Sequence, residues 1–249
     1  MKLTTTSAIV LSAMLTATVA STQAVAAEPD YTLSYNIGAT TDYRFRSIAQ
    51  TSFKPAVQAG ADFAHKSGAY AGVWGSNVNW VKDFAGATDG SLEVDLYGGY
   101  KGELAKDLGF DVGVIGYIYP SNNATTNANT TEIYAALTYG VVTAKYSRSL
   151  GNFVANANSS GSQYMEIAAT FDIGNGFSLT PHIGSQIIPN QPSSGDYTDY
   201  SLTLGKDFGN GISASLSAIG TDAKDGFYKV GSVDNLGKTG LVVGVKYSF

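Results

Sequence analysis

From Asp30 to the last residue, hydrophobic and polar positions alternate with a period of two. Tyr31, Leu33, Tyr35, Ile37, Ala39, Tyr43 and Phe45 share one parity, and Thr32, Ser34, Asn36, Gly38, Thr40, Asp42, Arg44 and Arg46 the other. Successive side chains of a strand point to opposite faces, so this run predicts one apolar and one polar face. The pattern recurs in Leu92/Val94/Leu96/Tyr100 against Glu93/Asp95/Tyr97/Lys101, and in Ile133/Ala135/Leu137/Tyr139 against Glu132/Tyr134/Thr138. Met165/Ile167/Ala169/Phe171 and the terminal Leu241/Val243/Val245/Tyr247/Phe249 continue it.

The punctuation between the runs alternates in length. Tight turn signals stand at Lys66-Ser67-Gly68, around Asp107, near Gly140, at Gly174-Asn175-Gly176 and at Gly209-Asn210-Gly211. Asn-Gly between alternating runs is a strong hairpin signal. Longer polar segments lie between them, at 81–90, 121–130, 152–162, 189–198 and 222–238. The spacing predicts twelve strands, near 31–46, 54–65, 69–80, 91–102, 109–119, 131–139, 142–150, 163–173, 177–188, 198–208, 211–221 and 239–249. Most are long enough to cross a bilayer when tilted. Short turns at one end and long loops at the other are the asymmetry of an outer-membrane barrel. The predicted fold is therefore all-β, a transmembrane antiparallel up-and-down barrel with short periplasmic turns and long extracellular loops.

The start of the chain follows a different pattern. Met1-Lys2 is followed by an apolar run, Ala8 to Ala20, and by small residues at Ala24-Val25-Ala26. This is the layout of a cleaved signal peptide. We expect residues 1–26 to be the signal and residues 27–249 the barrel domain. Export is then followed by insertion into the bacterial outer membrane.

Aromatic positions decide which face meets lipid. On the apolar parity, Tyr31, Phe63, Tyr70, Tyr100, Phe110, Tyr139, Phe171, Phe177, Phe208 and Phe249 fall at the short-turn end. Tyr43, Phe45, Trp80 and Tyr200 fall at the other. Amphipathic rings gather at membrane interfaces, so two girdles are expected around an apolar band. The polar parity then lines the lumen. The candidate pore-lining residues are Asp42, Arg44, Arg46, Lys54, Asp62, Glu93, Asp95, Glu132, Lys145, Glu166 and His182, with Asn77, Asn79, Asp111 and Lys246 beside them. Both signs occur. They either face one another across a constriction, selecting small polar solutes, or pair into a network that plugs the barrel. Twelve strands lie between the filled eight-stranded and the water-filled 16-stranded sizes, so strand number does not choose.

Composition removes other classes. The 249 residues contain no Cys and two His, His65 and His182. Thiol chemistry, disulfides and Cys-ligated metals are excluded, and no cofactor is expected. A net charge of −5 with three arginines (Arg44, Arg46, Arg148) is unsuited to nucleic acid. No Gly-x-Ser-x-Gly motif is present, and neither His sits in a nucleophile motif, so enzymatic activity is not expected. Glycine, at 29 residues, exceeds its usual share of about 7%.

Two stretches carry a family resemblance. Asp42-Tyr-Arg-Phe-Arg-Ser-Ile-Ala-Gln50 with Lys54-Pro55-Ala-Val-Gln-Ala-Gly60, and Tyr70-Ala-Gly-Val-Trp74-Gly-Ser-Asn77-Val-Asn79, resemble the TorF family of porins. Ser47 stands where such proteins often carry Gly. The resemblance implies an outer-membrane barrel with a porin role and no particular solute. The terminal strand, ending Tyr247-x-Phe249, is similar to the segment that bacterial barrels present to their assembly machinery. The expected partners are that machinery, outer-membrane lipid and lipopolysaccharide, and small polar solutes. The alternatives are a closed, plugged barrel with a structural, receptor or adhesion role through its Asn/Ser/Thr-rich loops and, less favoured, a barrel hydrolase. The sequence sets no oligomeric state.

Overall fold

A computed structural model describes residues 29–229 and 231–249. The expected signal peptide lies outside the described residues. Twelve antiparallel strands form one closed barrel: β1 Tyr31–Thr40, β2 Ala56–His65, β3 Ala69–Asn77, β4 Leu92–Ala105, β5 Leu108–Ile118, β6 Thr130–Tyr139, β7 Val142–Ser149, β8 Gln163–Ala169 continued after Thr170 by Phe171–Gly174, β9 Phe177–Ile187, β10 Tyr197–Gly209, β11 Ile212–Thr221 and β12 Gly240–Ser248. Each strand pairs with its sequence neighbours, and β12 closes on β1 with Ile37 opposite Tyr247.

The five tight turns lie where expected, and two near-identical sequences build them alike. In Phe171-Asp-Ile-Gly-Asn-Gly-Phe177 the N–H of Gly174 donates to the Asp172 carboxylate at 2.8 Å. In Lys206-Asp-Phe-Gly-Asn-Gly-Ile212 the N–H of Gly209 donates to Asp207 at 2.7 Å. Asn175 and Asn210 take φ of 54° and 53°, a left-handed conformation that Asn tolerates better than most residues.

The faces are sorted opposite to a water-soluble protein. Leu33, Leu96, Met165, Ile167, Leu202, Val243 and Val245 are exposed on the outer wall. The alternate positions turn inward, and among them Glu93, Glu132, Gln186 and Asp199 are each no more than 1% exposed.

Two strand expectations need correction. The first strand does not run to residue 46. The chain leaves the wall after Thr40, and residues 41–55 form a sixth long connection. The third strand stops at Asn77, and Trp80–Asp83 is a single helical turn. The aromatic expectation is corrected with them. Tyr31, Tyr100, Tyr139, Phe171, Phe208 and Phe249 are exposed at the short-turn end, as a girdle requires. Tyr70 instead points inward, its hydroxyl donating to Asp111 at 2.5 Å. Of the far set only Tyr200 is exposed outside; Tyr43, Phe45 and Trp80 pack into the apolar core of the long-loop end. That core includes Ile48, Val78, Val81, Tyr119, Tyr197 and Leu236.

Candidate functional site

Residues 41–55 fold into the barrel and touch it on several sides. Arg44–Phe45 pairs with Ile48–Ala49 as a small hairpin. Its two turn residues, Arg46 and Ser47, have φ of 48° and 65°. Two successive positive φ values define the tight hairpin turn that Asn-Gly usually supplies. Arg and Ser hold that conformation at a cost, and the wall strands offset it.

Arg46 is the hub. One guanidinium nitrogen donates to Glu132 of β6 at 2.6 Å, and the other to Gln186 of β9 at 2.8 Å. The guanidinium carbon lies 4.7, 5.4 and 4.3 Å from the ring centres of Phe45, Phe153 and Tyr164. Burial alone would disfavour its charge, and the adjacent Glu132 carboxylate outweighs that, so the guanidinium is held protonated. The Ser47 hydroxyl donates to Asp199 of β10 at 2.9 Å, and the Tyr197 hydroxyl donates to the Arg46 carbonyl at 3.0 Å.

Arg44 faces the other way. It pairs with Asp42 at 2.5 Å and donates to the carbonyls of Ser47, Leu236 and Lys238 at 2.9–3.1 Å. The segment is thereby tied to the connection that precedes β12. On a third side, Tyr43 donates to Glu93 of β4 at 2.7 Å and packs edge-on against Trp74 at 5.4 Å. Ser52 donates to Asp83 at 2.7 Å.

A second cluster lies on the adjoining wall. His182 Nε2 is 3.1 Å from Glu166 and its Nδ1 is 3.6 Å from Asp199. Tyr164 donates to Asp199 at 2.9 Å. Lys145 lies 4.5 Å from the ring centre of Tyr134. Tyr97 donates to Asp62.

The structure therefore brings Asp42 to Arg44, Arg46 to Glu132, and Glu166 to His182. Glu93 and Asp95 share one inner wall. Lys54 is exposed at the end of the segment and stands apart. The three charges of Asp42, Arg44 and Arg46 do not climb a wall strand as expected; they occupy a hairpin within the barrel. Sequence reasoning missed Tyr43, Trp74, Tyr164, Gln186 and Asp199 as partners. Gln186 and Asp199 share the inward parity of His182 and Ser201, which was the available signal. Beside the hairpin, Phe45, Ile48, Trp80, Phe153, Tyr197 and Phe227 line a small apolar cavity of about 60 Å³. Tyr247 and Phe249 are exposed on the outer wall and stack on one another at 5.3 Å.

An inside-out barrel with a charged interior defines a class: the closed, twelve-stranded transmembrane β-barrels. Three solved structures share this fold. The KdgM porin aligns with a TM-score of 0.57 at 8% identity, over 87% of this chain and 99% of that one. The NanC porin aligns at 0.53 and 12% identity, over 88% and 99%. An outer membrane channel from Pseudomonas putida F1 aligns at 0.51 and 11% identity, over 89% and 96%. At such identities the likeness is one of fold. In sequence, residues 23–249 match the family described as "Bacterial protein of unknown function (Gcw_chp)", and the chain belongs to that family. No curated protein matches the sequence.

Proposed function

We propose that this chain is an outer-membrane porin, a passive channel for small hydrophilic solutes with a narrow, mixed-charge lumen. The carrying observation is the inverted burial. Glu132 and Asp199 are 1% and 0% exposed inside, while Met165 and Val245 are 59% and 55% exposed outside. Such an outer face is stable against lipid and costly against water. The TorF-like stretches and the barrel folds of the KdgM and NanC porins support the same reading. On it, residues 1–26 are the export signal, and the pore is lined by Asp42, Arg44, Arg46, Asp62, Glu93, Asp95, Glu132, Lys145, Glu166 and His182. Tyr247 and Phe249 are presented to the assembly machinery, and the outer wall contacts lipid and lipopolysaccharide. No step of this function is catalytic.

Segment 41–55 narrows the lumen at the long-loop end. It favours a second reading, a barrel plugged at rest that serves as receptor or adhesin through its loops. Single-channel recording on the refolded chain separates the two. The porin reading expects discrete conductance steps in a planar bilayer, with a reversal potential in a salt gradient. Silence from protein shown to be folded by circular dichroism would sink the open channel and leave the plugged barrel.

A further inference from the structure

The carboxylates of Glu93 and Asp95 are set apart from the paired charges around them. Both are on the inner face of β4, two residues and so about 7 Å apart. Glu93 is 1% exposed and Asp95 7%. Among the described residues, no Lys, Arg or His nitrogen comes within ion-pair distance of either. Glu93 Oε2 and Asp95 Oδ1 are buried with no hydrogen-bond partner among the protein groups. A buried carboxylate oxygen without a partner is costly, and such atoms mark places where something else supplies the contact.

The strand register shows what surrounds the pair. Trp74 stands directly opposite Asp95 on β3, and Tyr117 directly opposite it on β5. Ser76 stands opposite Glu93 on β3. Tyr119, one residue past the Val94–Ile118 pair, falls beside Glu93 on the far side. Tyr43 comes down from the inward segment, its hydroxyl occupying the other Glu93 oxygen and its ring against Trp74. Two carboxylates thus sit among four aromatic rings. Anionic oxygens attract a positive charge, and an aromatic ring adds to that attraction where its face turns toward the ion. The count of available oxygens is too low for a calcium-type shell of six to eight ligands.

We propose that Glu93 and Asp95, enclosed by the rings of Tyr43, Trp74, Tyr117 and Tyr119, hold a compact monovalent cation, an alkali ion or ammonium, within the lumen. The inference deepens the porin reading and rests on it for its meaning: a cation held there gives the channel its charge preference. Because Tyr43 belongs to segment 41–55, the same ion ties that segment to the wall.

Thallium(I) acetate is the probe, since the heavy monovalent ion quenches indole fluorescence on contact. Trp80→Phe leaves Trp74 as the single indole. The folded chain should show a saturable quenching component that K⁺ or ammonium reverses at constant ionic strength, and their relative potency tells the two sources apart. Glu93→Gln and Asp95→Asn should each raise the half-saturating concentration about tenfold or more, as expected for losing one charge of a buried contact. Quenching that rises linearly and is indifferent to K⁺ and ammonium would overturn the proposal; a water or a shared proton would then satisfy the pair. Displacement by Mg²⁺ or Ca²⁺ alone would overturn it too. If the carboxylate variants do not fold, competition in the Trp80→Phe chain, or in the unsubstituted chain with both indoles, decides by itself. Conductance of the same preparation is recorded in parallel. A conducting barrel without saturable quenching removes this inference and keeps the porin. Saturable quenching in a silent barrel keeps the site and removes the porin.

Discussion

Arg46 holds the interior together because two nitrogens of its donor fork and its planar face are used at once. Glu132 and Gln186 take its hydrogen bonds, and three rings take its face. Lysine offers neither the fork nor the plane. Removing one partner of a buried ion pair leaves the other uncompensated, at a cost of about 3–5 kcal/mol. Arg46→Ala should therefore lower the urea midpoint of the folded barrel substantially, and Arg46→Lys should recover only part of it. A midpoint unchanged in Arg46→Ala would show that the hairpin does not depend on this contact. On the channel reading, Arg46→Ala should also raise single-channel conductance, since the hairpin loses its anchor. At this scale the sequence was half legible. Parity placed Glu93, Glu132, His182 and Glu166 on the inward face, because a strand has only two faces. Partners such as Ser47 with Asp199 join residues 152 positions apart, and alternation carries no information about what lies across a barrel.

The elements divide by how they end. The Gly-Asn-Gly turns were readable because their residues are chosen for φ, a local property. The hairpin of residues 44–49 was not, because Arg46 and Ser47 adopt φ values that their own chemistry disfavours and are kept there by contacts from the wall. A continuous alternation through Arg46 therefore read as a longer strand. The two kinds of glycine in one turn allow a paired test. Gly209 and Gly211 have φ of 77° and 79°. A Cβ on Gly209 would meet nothing within 4 Å, whereas on Gly211 it would collide with the Ser248 carbonyl. Alanine at either pays the left-handed penalty of about 1–2 kcal/mol, and only at Gly211 must β12 also shift. Equal urea midpoints for Gly209→Ala and Gly211→Ala would contradict this; the Gly211 variant should be the less stable of the two.

The whole molecule is a wall with an apolar outside and a polar filling, and that much could be read from the period of two together with turn spacing. What could not be read was how the ends are dressed. Rings collect outside at the short-turn end, while Tyr43, Phe45 and Trp80 were drawn inside to build a core under the long loops. Parity assigned them outward because it assumes a residue is on the wall. The outer band itself gives a direct test. Leu216 lies mid-strand on β11, opposite Leu204 and Val243, and is 44% exposed. Leu216→Arg should reduce folding stability in lipid bilayers by about 2–4 kcal/mol, the range for a charge near the bilayer midplane. Ser217→Arg, one residue on and facing inward, should cost much less. Equal costs at the two positions would argue against lipid on the outer face.

The seam between β1 and β12 has a kinetic consequence. Each of the other wall pairings joins strands that follow one another along the chain, so each hairpin can form from its own short stretch. The seam sets Ile37 against Tyr247, across nearly the full length of the barrel. Loop-closure entropy grows with the separation of the residues joined, and contacts of this kind slow a fold's completion. The wall can therefore accumulate hairpin by hairpin as an open ribbon, with circularisation as the closing event. Until the two edge strands meet, the polar interior faces its surroundings along an open slot, and the membrane that stabilises the finished outside offers nothing to the unfinished inside.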